Sequence, residues 1–128
     1  MESCYIDINK KWGLVVNYNY DQRDYRDMWA QMRSLGLNDK SAKRALDILS
    51  NYNTGMAVSN EDLRMSVIFI SRATDSGEWW STAIHEVKHV ADAIIDYYGK
   101  EYDGEDAAYL TGFIVKRLVE EIGEPCIV

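Results

Sequence analysis

The chain has 128 residues, 47% of them hydrophobic, which is enough for one buried core and too few for two. A formal net charge of −7 argues against a nucleic-acid groove or an anionic membrane surface as partner. The first eleven residues lack the charged-then-apolar order of a signal peptide, and no apolar run approaches about 18 residues, so a single cytoplasmic domain over 1–128 is expected, with no nucleic acid and no membrane.

Cys4 to Ile8 and Gly13 to Tyr18 are rich in Val, Tyr and Ile and predict two short strands, joined by the polar turn Asn9-Lys10-Lys11. A helix is predicted from Asp21 to Gly36, with Tyr25, Met28, Trp29 and Met32 at helical spacing as a core stripe. A second helix, capped by Asn38 or Asp39, carries Ala42, Ala45, Leu46 and Leu49 and breaks in Asn51-Tyr52-Asn53-Thr54-Gly55. Met56 to Val58 and Met65 to Ser71 predict two more strands, separated by the polar stretch Ser59 to Asp62.

Asp75-Ser76-Gly77-Glu78 has the form of a capping box, and apolar residues follow at Trp80, Ala83, Ile84, Val87, Val90, Ala91, Ile94, Ile95 and Tyr98 before Gly99 stops the helix. Trp79 and Trp80 are expected to lock its first turn against the sheet. A last helix is capped by Asp103 and carries Ala107, Leu110, Ile114, Leu118 and Ile122, and the tail from Glu124, with Pro125, is expected to be irregular. Strand, strand, helix, helix, strand, strand, helix, helix is an α+β order, with a mixed or antiparallel sheet of about four strands.

The chain's only two histidines, His85 and His89, flank Glu86 in His85-Glu86-Val87-Lys88-His89, an H-E-x-x-H pattern on the longest predicted helix. Positions i and i+4 share a helix face, so two imidazoles can grip one metal ion while the intervening glutamate reaches a water beside it. A third protein ligand must be a carboxylate or a cysteine, since no other histidine exists. Asp92 and Ile95 stand where a metzincin has glycine and histidine, which excludes that class. Glu105, in the first turn of the last helix, is the favoured third ligand, with Asp106 and Glu101 as alternatives; an acidic residue there also suits the helix dipole. Asp92 lies on the histidine face and can orient an imidazole, Asp96 reads as a solvated charge, and Lys88 should point outward. Cys4 and Cys126 lie near opposite ends without C-x-x-C pairing and are expected as free thiols.

With these residues the chain resembles the gluzincins, whose thermolysin-like members carry H-E-x-x-H on one helix and a glutamate on the next. From Trp79 to Gly112 it is more similar to the small single-domain HExxH proteins of bacteriophage and prophage genomes, in which an acidic residue shortly precedes an Ala-Tyr-Leu-x-Gly run, here Ala108 to Gly112 with Glu105 at the acidic position. The resemblance implies a zincin-like domain in a bacterium or phage-infected host, with the metal site on the last two helices. It further implies Zn2+ on His85, His89 and Glu105, a zinc-bound water, Glu86 as general base, and Tyr109 or Tyr102 steadying the oxyanion. A strand such as Ser66 to Ile70, ahead of the motif, would lie at the sheet edge beside the cleft, although an ordinary interior strand fits the same residues. A peptide or protein is the implied substrate. The second lobe of a larger peptidase is almost absent, so the cleft should be shallow or completed by a partner protein. A non-catalytic, metal-stabilised binding or assembly protein, and a metal-free helical adaptor, are the competing readings.

Overall fold

The computed structural model describes residues 1–99, 107–124 and 127. Strands β1 (Glu2–Ile8) and β2 (Trp12–Tyr18) form an antiparallel hairpin. Asn9 and Lys10 turn it with positive φ, 54° and 58°, the backbone hand that matches strand twist in a tight hairpin. Asp21 then caps a short 3-10 turn through a reciprocal bond with Asp24, and α1 (Tyr25–Ser34) continues from it. Helix α2 (Asp39–Leu49) is capped by Asn38, whose side chain accepts from Ser41 N–H.

Strands β3 (Gly55–Asn60) and β4 (Met65–Ile70) make a second antiparallel hairpin, and β4 also pairs parallel to β2. The sheet order is therefore β1-β2-β4-β3, a mixed four-stranded sheet in an α+β chain. Strand β3 runs further than the polar composition of Ser59 and Asn60 suggested. Ser59 shares a 2.6 Å hydroxyl contact with buried Ser66, and the Asn60 side chain donates to Leu35 O and accepts from Leu63 N–H, so both polar groups are satisfied inside the strand.

Of the two placements open to Ser66 to Ile70, the sheet edge is wrong and the ordinary interior strand is right. β4 has a hydrogen-bonded neighbour on each side, and β3 is the edge beside it. The physical reason lies in the near-continuous run Met-Ser-Val-Ile-Phe-Ile: both faces of β4 are covered, with Val67 and Phe69 turned toward the α1–α2 side and Ile68 and Ile70 toward the other.

That other face is covered by α3 (Ser76–Tyr98) and the described helix α4 (Ala107–Ile122). Asp75 accepts from Glu78 N–H at 2.8 Å and starts α3; Gly99, at φ 58°, ends it. Ala83, Val87, Val90, Ala91 and Ile94 face the sheet and are fully buried, as is Trp79, which stacks edge-on against Tyr18 and Trp80. Trp80 is only half-buried, and Ile84, expected on the apolar face, is 44% exposed. Leu110, Ile114 and Leu118 hold α4 against α3 and β1. No helix among the described residues is long and apolar enough to cross a membrane.

Cys4 is a free, half-buried thiol whose pKa is raised by burial and by nearby Glu121; Cys126 lies outside the described residues, as do Asp103 and Pro125. In the tail, Ile127 makes an isolated parallel bridge with Ala73, just ahead of α3. The cap that starts α3 also sets its register toward the sheet. Asp75→Ala should cost about 1 kcal/mol, visible as a lower urea midpoint at unchanged m-value; an unchanged midpoint would show that the tryptophan anchor alone sets the start of the helix.

Candidate metal centre

Helical repetition puts His85 and His89 one turn apart on the same face of α3. That face points away from the sheet: Val87, Val90 and Ile94 are fully buried, whereas both imidazoles are exposed. The rings meet edge-on, with centroids 4.8 Å apart and planes at 81°, and their Nε2 atoms are 3.1 Å apart. In a metal-free chain this is a ring-to-ring hydrogen bond in which one Nε2 carries the proton. The same convergence suits a shared tetrahedral ion, since two Zn–N bonds of 2.0–2.1 Å require nitrogens about 3.3 Å apart. The donor chemistry and spacing of the pair thus fit zinc.

Glu86 leaves α3 on the side of strand β3, one flank of the histidine face. It is 7% exposed, and the other buried polar residues, Asn17, Ser66 and Ser71, all have hydrogen-bond partners. Among the described residues Glu86 has none. Its pKa is raised, chiefly because burial penalises the carboxylate, while His85 and His89 partly oppose the rise. The side chain lies over Gly55 at the start of β3, next to Thr82 one turn earlier on α3. Neither Gly55 nor Thr82 was legible as a site residue. Glycine at 55 reads as the end of a loop, and its closeness to Glu86 arises only when β3 and α3 are brought together.

On the opposite flank, Ser81, Ile84, His85 and Lys88 of α3 line a shallow hollow of ≈ 540 Å³ with Ala108 and Thr111 of α4. The first turns of described α4 therefore stand beside His85. Glu105, Asp106, Glu101 and Tyr102 lie outside the described residues, and among the described residues no group of three His, Cys, Asp or Glu converges. Tyr109 is 60% exposed and borders a separate hollow with Gly112, Phe113 and Lys116; it does not line the one that contains His85. Asp92 does not bond an imidazole. Its carboxylate takes both hydrogen bonds from Lys88 Nζ, at 2.7 and 2.8 Å, an exposed i,i+4 pair on the outer face.

No family model, curated protein or solved structure matches the chain.

The raised pKa of Glu86 has a signed consequence for stability. Below the unfolded-state value of about 4.3 both states hold the proton and nothing is lost. As pH rises through the raised folded value, the native state must ionise a buried carboxyl, and stability falls. In the metal-free protein Glu86→Gln should raise Tm at pH 7–8, and the advantage should shrink toward pH 4. Calorimetry across this range checks it, and a pH-independent difference would show that burial does not disfavour the carboxylate.

Proposed function

We propose that the chain is a compact zincin-like zinc hydrolase acting on peptide bonds. The observation that carries this reading is the convergence of His85 and His89 Nε2 to 3.1 Å, with Glu86 buried on the adjoining side of the same helix turn. His85 and His89 would hold Zn2+ with a carboxylate, for which Glu105 is the first choice. The nearness of Ala108 and Thr111 to His85 supports a ligand from just ahead of α4. Bound zinc acidifies water and polarises a carbonyl.

The chain's own groups supply the rest. Glu86, whose pKa is raised by burial, takes the proton of the attacking water and returns it to the leaving amine. Strand β3 is the sheet edge nearest Glu86, and an extended peptide can add there as another strand, which brings its carbonyls past the helix. Tyr109 is retained as a proposed oxyanion donor only if substrate spans the α4 side. A bacterial or phage setting, and a partner protein that completes the cleft, belong to the same proposal.

One observation favours the second reading, a non-catalytic metal-stabilised binding or assembly protein. The histidine face is open, and among the described residues no second lobe covers it. Elemental analysis of native, His85→Ala and Glu105→Ala proteins, together with cleavage of a quenched-fluorescent peptide library by native and Glu86→Gln proteins, separates the two. Hydrolysis predicts about one zinc per chain, lost in both ligand variants, and cleavage reduced about 10²-fold or more in a Glu86→Gln protein that keeps its zinc. Zinc without cleavage in the native protein would establish the binding reading. A native chain that takes up no zinc would refute both.

A further inference from the structure

Gly55 opens the edge strand, and its backbone does not need glycine, because its φ lies outside the left-handed region. Space explains it instead. A Cβ at this position would lie 2.8 Å from Glu86 Cγ, 2.8 Å from Thr82 Cγ2 and 3.2 Å from Phe69 O. None of these atoms yields cheaply. Cγ is the middle of the glutamate side chain, Cγ2 sits on the branched Cβ of a helical threonine, and the oxygen is backbone of β4.

The other buried polar residues, Asn17, Ser66 and Ser71, are oriented by hydrogen bonds. No hydrogen bond to a described residue orients Glu86, and the packing at Gly55 limits where its side chain can lie. Glu86 and Thr82, one turn apart on α3, both face the bare Cα of Gly55, which leaves them the space a side chain would take.

We infer that Gly55 is a positioning residue: by lacking a side chain, it seats Glu86 and Thr82 closely against the start of strand β3 and so fixes where the carboxylate stands relative to His85 and His89. The inference rests on the reading of Glu86 as the proton-transferring group. It assigns Gly55 no contact with metal. A methyl group there should displace Glu86 without touching either imidazole.

Two measurements test this. The first uses metal-free protein and thermal unfolding. Gly55→Ala should lower Tm in the native background and by less than half as much in a Glu86→Ala, Thr82→Ser background, where both side-chain obstacles are shortened. An equal drop in both backgrounds would overturn the seat. The second uses zinc-loaded protein. Gly55→Ala should keep zinc stoichiometry and KM within about twofold while kcat falls about 10²-fold, the scale of a small misplacement of a reacting group. Adding Thr82→Ser to Gly55→Ala should recover part of that kcat. Unchanged kcat in a zinc-loaded Gly55→Ala protein would overturn the positioning role, as would loss of zinc and kcat together. If native protein shows the stability coupling but hydrolyses nothing, the seat stands as a packing contact, and the hydrolase reading fails with the catalytic role assigned to Gly55.

Discussion

The close approach of α3 to strand β3 determines where the groups of the candidate site lie. The helix buries Ala83, Val87, Val90, Ala91 and Ile94 against the sheet, with Trp79 as the anchor of its first turn. Once that face is buried, 3.6-residue periodicity leaves no freedom: His85 and His89 must face outward, and Glu86 must fall on the flank toward β3. The approach is possible because the residues of β3 at this contact are small. Gly55 meets Glu86 and Thr82, and Ala57 packs into the core under α3. A larger residue at 55 would hold the helix away from the strand or expel the glutamate.

This arrangement carries a stability cost. Burial raises the pKa of Glu86, so ionising this carboxyl opposes folding. Elsewhere the molecule avoids such costs. Trp12 Nε1 donates to Ser66, Asn17 bonds Ser3 and Gln31, and Tyr20 donates to Leu49 O. The exception sits beside two histidines whose ring nitrogens converge, and an unfavourable group at such a place is the pattern expected where a site trades stability for chemistry. Trp79 Nε1, the one buried side-chain nitrogen or oxygen without a partner among the described residues, lies in the apolar anchor instead, where edge-on contacts with Tyr18 and Trp80 surround its ring.

Much of the local structure was legible in the residues. The caps Asp75 and Asn38, the glycine stop at 99 and the apolar repeats of four helices reflect interactions between neighbours in sequence, and the structure has them. The histidine pair was legible for the same reason, since i,i+4 geometry is local. Strand order was not. Whether β4 or β3 forms the edge depends on β2 pairing with residues some fifty positions away, and no period of two or of 3.6 encodes that choice. The near-continuous apolar run of β4, interrupted by Ser66, was the available signal of a strand covered on both faces. Gly55 was illegible because its meaning is a contact between segments about thirty residues apart.

The proposed function requires His85 and His89 to act as one ligand pair through their Nε2 atoms. Long-range 1H–15N NMR of both imidazoles during a zinc titration of metal-free protein addresses it directly. Paired ligation predicts that the two Nε2 resonances shift together and saturate at about one zinc per chain. Resonances that shift for only one ring, or for neither, in excess zinc would contradict it, and would leave the 3.1 Å approach as a hydrogen bond between neighbouring side chains on a helix.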